Sequence, residues 1–175
     1  KVPLEYAKKQ HYIRKMEAQA SKPDVTLTLP RMSFSMGGPA YDATRQVNPL
    51  NRYRGARNGT NTGGADIVMQ HFATIPYNFP FELNVYVKNV EDGLQIMEQI
   101  VPWFTPEFSL TVKDTISTIE ILNDIPIILE GVSEDDNAES GFDDNRFITW
   151  TFQFEAKGYF YKPTQDTAII KKAFI

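Results

Sequence analysis

The sequence predicts an α+β fold: one domain over residues 1–175, built on a largely antiparallel, twisted β-sheet with two helices packed on one face and long loops between strands. Three observations carry that expectation. Phe81, Leu83, Val85 and Val87 alternate with Glu82, Asn84, Tyr86 and Lys88, the period of a strand with one buried face. Directly after it, Val90, Leu94, Met97 and Val101 recur at helical spacing, widened by Ile96 and Ile100, while Glu91, Gln95, Glu98 and Gln99 take the other side. Further on, Ile148, Trp150, Phe152, Phe154 and Ala156 alternate with Thr149, Thr151, Gln153 and Glu155, the clearest strand pattern in the chain.

Taken in order, Val2 to Tyr6 reads as a brief strand, and Ala7 to Ala20 as a helix with Tyr12, Ile13, Met16 and Ala20 on one face. Val25, Leu27 and Leu29 alternate with threonines, and past Pro30 the apolar phase shifts to Met32, Phe34 and Met36, which predicts one strand bulged at Pro30 and Arg31, near a sheet edge. Residues 37–66 have no sustained period and are dense in Gly, Asn, Pro, Thr and Arg, so a long loop is expected. Ile67 to Ile75 leads as a strand into a corner at Pro76 and Pro80. Asn89 is placed to cap the helix that follows, Glu91 and Asp92 suit its first turn, Gly93 weakens it by about 1 kcal/mol relative to Ala, and Pro102 ends it. Ser109 to Val112 and Ile116 to Leu122 form a hairpin turning at Lys113-Asp114, and Asp124 to Val132 is a strand whose Pro126 suggests an edge. Residues 133–145 then form an acidic hairpin loop before the final strong strand, and residues 164–175 a docking tail.

Composition narrows the function classes. With 42% hydrophobic and 13% aromatic side chains the chain can bury one substantial core. No run of about 18 apolar residues is present to span a bilayer as a helix. The absence of cysteine excludes a thiol mechanism and a thiolate metal site, and fits a reducing cytoplasm. A net charge of −4 argues against a general nucleic-acid binder. Beginning at Lys1 and not at Met, the chain is expected to be a piece or a processed form of a longer one.

Charge is nonetheless distributed unevenly. From Ala43 to Ala65 the only charged residues are Arg45, Arg52, Arg54 and Arg57. From Glu130 to Asp144 every charge is acidic: Glu130, Glu134, Asp135, Asp136, Glu139, Asp143 and Asp144. Opposite-sign segments on one chain are candidates for contact with another copy or another protein, arginine's planar fork being suited to carboxylates.

Sites for chemistry are scarce. His11 and His71 have no metal-ligand spacing to each other or to a carboxylate. The segment from Gly55 to Gly64 has glycines but lacks the Gly-Lys-Ser/Thr ending of a phosphate cradle, and no nucleophile elbow occurs. The acidic segment from Glu134 to Asp144 places its glycine wrongly for a calcium loop and has no bidentate Glu at the twelfth position. No metal, cofactor or catalytic residue is assigned. Trp103, Phe104 and Phe108 suit either core packing under a helix end or a stacking platform. The other classes open to this sequence are a small-ligand or carbohydrate-binding module using that corner and the Gly-rich loop, and an enzyme with an unrecognised acidic site.

One set of residues points further. Val2-Pro3, Tyr6-Ala7, the helix holding His11, Leu29-Pro30-Arg31, the run Tyr77, Asn78, Phe79 and Pro80, then Asp92, Gln95, Ile96, Glu98, Gln99, Ile100, Pro102, Phe104, Pro106 and Phe108, and later Arg146, Ile148, Trp150, Phe154-Glu155, Gly158, Tyr161 and Pro163 recur as an ensemble. In that ensemble the chain resembles the tail-sheath stabilisers, or tail terminators, of T-even-like contractile-tailed bacteriophages. The resemblance implies a non-enzymatic virion protein that forms a homo-hexameric ring, capping sheath and tube at the head-proximal end of the tail. It further implies tail sheath protein, tail-tube terminator and neck (head-completion) proteins as partners, DNA met only in passage through the ring, no membrane, and assembly in the host cytoplasm. A tube terminator or another neck ring component is the neighbouring alternative. A ring closed by head-to-tail contacts needs two different complementary patches, and Arg52, Arg54 and Arg57 facing Asp135, Asp136 or Asp143 of a neighbour would supply them.

Overall fold

The computed structural model describes residues 2–20, 28–57, 67–116, 119–136, 147–162 and 165–168. Its elements run β1 (Leu4–Tyr6), α1 (Lys9–Ala20), β2 (Arg31–Met36), β3 (Ala40–Tyr41), the 3-10 turn η1 (Ala43–Arg45), β4 (Arg52–Arg57), β5 (Ile67–Phe72), β6 (Ile75–Val87), α2 (Val90–Ile100), the 3-10 turn η2 (Val101–Phe104), β7 (Phe108–Ile116), β8 (Ile119–Asp136), β9 (Ile148–Phe160) and β10 (Gln165–Ala168). The large sheet has the order β1-β2-β6-β9-β8-β7, with β3 also on β6, and β10-β5-β4 make a smaller sheet. β2–β6, β3–β6, β8–β9, β4–β5 and β5–β10 pair antiparallel, whereas β1 and β2 run parallel. The fold is the expected α+β, largely antiparallel one. Contacts gather in two compact units, one of Lys1–Pro39, Phe79–Leu110 and Ile125–Lys157, the other of Ala40–Asn78, Thr111–Asp124 and Gly158–Ile175.

In the first unit, alternation along β6 and β9 decides which side chains meet, because successive residues point to opposite faces. Val85 and Val87 join Ile148, Trp150, Phe152 and Phe154 on one face, under Ile96, Met97 and Ile100 of α2 and Val101 and Phe104 of η2. Tyr86 and Phe147 emerge on the other face and pack with Tyr12 and Met16 of α1. The two helices therefore lie on opposite faces of the sheet, which corrects the expectation of a shared face. The reason is that this sheet is buried on both sides: Val85, Tyr86 and Val87 are all 0% exposed. An apolar alternation reports the face it follows and is silent about the other.

That second face carries polar side chains that bond to one another. Ser33 Oγ and the Tyr86 hydroxyl lie 3.1 Å apart, and the Thr151 hydroxyl donates to Asn84 Oδ1 at 2.9 Å. Asn84 Nδ2 in turn donates to Glu82 at 2.8 Å. These bonds cross β2, β6 and β9, so they offset the desolvation of groups that are buried.

Several elements differ from the sequence expectation. β2 begins only after Pro30 and lies near the sheet edge, as expected, between the edge strand β1 and β6, while residues 25–27 of the expected kinked strand lie outside the described ones. The expected corner at Pro76 and Pro80 is continuous strand, because each proline needs to act only as an acceptor: Pro76 O receives the Asp42 N–H and Pro80 O the Gly37 N–H. The segment 37–66 contains β3, η1 and β4. β7 runs through Lys113-Asp114 in place of the expected turn there, and residues 117–118, between β7 and β8, lie outside the described residues. β8 sits between β9 and β7, with Pro126 just ahead of the register that opens at Ile127↔Ala156. Ser133 to Asp136 extend β8, and the remainder of the acidic loop, 137–145, lies outside the described residues. Asn89 occupies the cap position of α2 in an extended conformation, with no side-chain bond to the helix.

Candidate functional site

The candidate contact residues fall into different structural situations. Arg45 is engaged within its own unit. Its Nε donates to Asp42 Oδ2 at 2.7 Å, and its Nη2 donates to the Tyr77 carbonyl at 3.1 Å and to Asn78 Oδ1 at 2.5 Å. The guanidinium also lies 5.2 Å from the Tyr159 ring centroid. Asp42 caps η1, accepting from the Thr44 hydroxyl at 2.6 Å and the Thr44 N–H at 2.9 Å. The Thr44 hydroxyl, then Arg45, hold the Asp42 carboxyl far below the usual carboxylate range. This group fastens η1 to β6.

The other arginines sit on β4, the strand at one end of the smaller sheet order. Arg52 is exposed, lies opposite Phe72 of β5 and places its guanidinium 5.1 Å from that ring's centroid; Lys162 approaches the same ring. Arg54 and Arg57 are paired through their backbones with Gln70 and Ile67, and their side chains lie outside the described residues. The expected loop arginines are thus carried on a strand, which fixes their spacing.

On the acidic side, Glu134 and Asp135 stand exposed near the end of β8, opposite Trp150 and Thr149. Asp135 Oδ2 accepts from Lys9 Nζ of α1 at 3.2 Å in an exposed pair. Asp136 is described by its backbone alone, opposite Ile148, and Asp143 and Asp144 lie outside the described residues. The expected tail 164–175 contributes β10, which pairs with β5, while residues 169–175 are not described.

Sequence reading missed two things here. The first is the phase of the α2 stripe: Val90 and Leu94, expected on the buried side, are 43% and 40% exposed, and Ile96, Met97, Ile100 and Val101 are the residues that meet the core. The second is Gly93. An added Cβ there would stand 2.3 Å from Trp150 Nε1, so the glycine admits the buried indole against the helix. The aromatic corner divides: Phe104 packs on Phe154 and Phe108 at 4.8 and 5.9 Å, whereas Trp103 is 70% exposed. Among the described residues no three His, Asp or Glu side chains gather as a metal site, and no helix is long and apolar enough to cross a membrane.

Comparison with known proteins adds the context that these surfaces lack. Over 173 residues the chain is 29% identical to the tail completion protein gp15 of Enterobacteria phage T4, an alignment covering 95% of this chain and 61% of that protein. The chain thus spans about three fifths of the length of the curated relative it matches. The family model of the T4-like virus Myoviridae tail sheath stabiliser matches residues 1–175. Matched from its first residue to its last, the chain belongs to the T4-like tail sheath stabiliser family.

Proposed function

We propose that this protein is a structural, non-enzymatic subunit of a hexameric ring that caps and stabilises the head-proximal end of a contractile phage tail and joins it to the neck. The observation that carries this reading is the match of the whole chain to the sheath-stabiliser family. Its partners on this reading are copies of itself, the tail sheath protein, the tail-tube terminator and the neck proteins, with DNA passing through the ring. The virion tail is its place, after assembly in the host cytoplasm. A head-to-tail ring needs two unlike surfaces per copy. The β4 arginines Arg52, Arg54 and Arg57 are one candidate, with Asp135, Asp136 or Asp143 of a neighbouring copy or of a sheath subunit as the acceptors.

Light scattering of the purified chain at low and moderate salt, followed by negative-stain imaging, tests the proposal. A species of about six copies with a central hole, loosening as salt screens exposed charge, is the expected result. A salt-independent monomer that also fails to assemble on sheath-capped tubes would refute it. Reversing Arg52, Arg54 and Arg57 to Glu is expected to weaken assembly by more than the loss of the Arg52–Phe72 ring contact, about 0.5–1 kcal/mol at an exposed site, lowers the thermal stability of the monomer. Unchanged assembly would remove the arginine contact while leaving the ring.

A further inference from the structure

We infer that, within the ring proposed above, the outer edge of β1 on one copy pairs with the outer edge of β7 on the next, so that the large sheet continues from copy to copy. The inference rests on that ring reading and names one of its contacts. β1 and β7 are the two ends of the order β1-β2-β6-β9-β8-β7. At β1 the Pro3 carbonyl accepts from the Met32 N–H at 2.9 Å, and the Ala7 N–H donates to the Phe34 carbonyl at 3.0 Å. A parallel ladder uses alternate residues, so the N–H and C=O groups of Leu4 and Tyr6 point away from β2, where they have no partner among the described residues. Groups left in this way are a template for another strand.

The side chains at the two ends match. Leu4-Glu5-Tyr6 and, in the part of β7 that belongs to the first unit, Phe108-Ser109-Leu110 each read apolar, polar, apolar, and all six residues are exposed. The four apolar ones are 57%, 63%, 39% and 46% exposed, and they share one face of the sheet. Leu4 and Tyr6 stand opposite Met32, which packs on the main core, and Phe34, whose ring lies 5.2 Å from that of Tyr6. Phe108 meets Phe104, which packs on the same core, and Leu110 follows at period 2. The apolar layer beneath α2 therefore runs off the sheet at both ends. Setting Glu5 opposite Ser109 joins those ends, with Leu4 beside Phe108 and Tyr6 beside Leu110. Phe108-Ser109-Leu110 has no charge, proline or glycine to blunt the edge. With both complementary halves on one chain, the occupant is a second copy.

Strand direction suits a head-to-tail join. β1 and β2 run together, β6 runs against β2, and β9 runs against β6, since Thr151 meets Asn84 while Phe147 meets Tyr86. β8 runs against β9, and the two residues between β7 and β8 are too few for a crossover, so β7 runs against β8. β1 and β7 of one copy thus point the same way, and a parallel β7–β1 pair keeps both the direction and the apolar face from one copy to the next. The two edges are unlike, as a heterologous contact repeated around a ring requires. A two-fold β7–β7 pair, the competing arrangement, would leave β1 uncovered and stop at two copies.

The test blocks one edge at a time and reads mass by light scattering and sedimentation. Leu4→Lys and Leu110→Lys each place a charge at an exposed edge position, and each is expected to weaken association at least about tenfold while the melt stays close to that of wild type. Mixed one to one, the two chains are expected to form a heterodimer and no larger species, because the intact β7 of the first meets the intact β1 of the second and both outer edges are blocked. If wild type forms rings and both variants form them equally well, or if the mixture stays monomeric, this contact is overturned and the ring reading stands. Dimers from Leu4→Lys alone would mean that β7 pairs with itself, and would overturn the inference. If wild type forms no assembly by itself or on sheath-capped tubes, the ring reading falls and the contact with it. Should a lysine prevent folding, as loss of the cooperative melt would report, cysteine cross-linking carries the test, since the chain has no cysteine. Glu5→Cys together with Ser109→Cys is expected to give a covalent ladder of copies under a short bismaleimide, and either substitution alone to give none. No ladder from the pair, or dimers from a single cysteine, would overturn the inference.

Discussion

Replacing Gly93 by Ala tests the packing of α2 most sharply, because two effects of opposite sign compete at one atom. Helix propensity alone favours Ala by about 1 kcal/mol in a helix interior. Against this, the new Cβ would lie 2.3 Å from Nε1, 2.8 Å from Cδ1 and 2.9 Å from Cε2 of Trp150. Those atoms belong to a rigid ring that is 8% exposed and packed in the main core, so no flexible side-chain end can swing aside. Either α2 lifts from the sheet or the indole leaves its position, and overpacking of this kind costs about 1–3 kcal/mol. The expected balance is a net loss of about 0–2 kcal/mol, a fall in Tm of up to about 8 °C for a chain of this size. Thermal and urea melts followed by far-UV circular dichroism would measure it. The double-mutant cycle with Trp150→Phe isolates the cause: it removes the 2.3 Å approach to Nε1, and the cost of Ala at 93 is expected to shrink in that background. If Gly93→Ala in the otherwise unaltered chain raises the melting temperature, the glycine is only a helix weakener and the packing argument is wrong.

Tyr86→Phe is expected to lose about 1–3 kcal/mol by stranding the buried Ser33 hydroxyl, and Ser33→Ala added to it to recover part of that loss in urea melts. Burial pushes the Tyr86 phenol up to about 12, so its contribution is complete below about pH 10 and lost as pH rises through the folded value; the late-titrating tyrosinate absorbance should vanish in Tyr86→Phe, and its persistence would count against the assignment. Asp42 has a lowered folded value, so its stabilisation is present above the unfolded value of about 3.9 and declines only below it. The Tm difference between the parent chain and Asp42→Asn should hold constant from neutral pH to about pH 4 and shrink on further acidification, whereas shrinkage already at pH 6 would contradict the clamp. Arg45→Ala is expected to lower the thermal melt, whereas reversal of Arg52, Arg54 and Arg57 should act mainly on assembly; equal effects of both would erase the distinction drawn between them.

How much of this was legible in the sequence depends on which forces act locally. The β9 alternation was legible because burial on the large core face imposes period 2 directly on the residues; in α2 the period was legible but its phase was not, since Ile96, Met97, Ile100 and Val101 pack on the core while Val90 and Leu94 stand exposed. The second face was not, since Ser33, Asn84, Thr149 and Thr151 are buried there while looking like the solvent side of a strand. For Ser33, Asn84 and Thr151 cross-strand hydrogen bonds offset the burial, joining residues as far apart as Asn84 and Thr151, whereas the buried Thr149 hydroxyl has no hydrogen-bond partner among the described residues. β4 was hidden for a related reason: it is held by antiparallel pairing to β5, whose partner residues lie beyond an undescribed stretch, and its own residues carry no apolar period. Pro76 and Pro80 misled by their residue type, because a proline interrupts a strand only where its missing N–H is needed. Of the candidate contact residues, sequence gave their charge correctly and could not separate Arg45, a structural clamp, from Arg52 on β4.

Covering both faces of one sheet constrains where assembly surfaces can arise. With α2 and η2 filling one side and α1 the other, the apolar faces of β6 and β9 are consumed by the fold. Among the described residues, the outward sides of its helices and its sheet edges are therefore surfaces that the first unit can offer a partner. Exposed charges there add little to folding, for isolated surface pairs are worth about 0–1 kcal/mol, so substitutions at Arg14, Glu91 or Glu98 are expected to leave the core intact. Arg45 and Asp42 are different, because the bonds that hold η1 to β6 already use them. Separating charge that folds the chain from charge that joins copies is thus a prediction about which substitutions move Tm and which move assembly, and the two sets should not overlap.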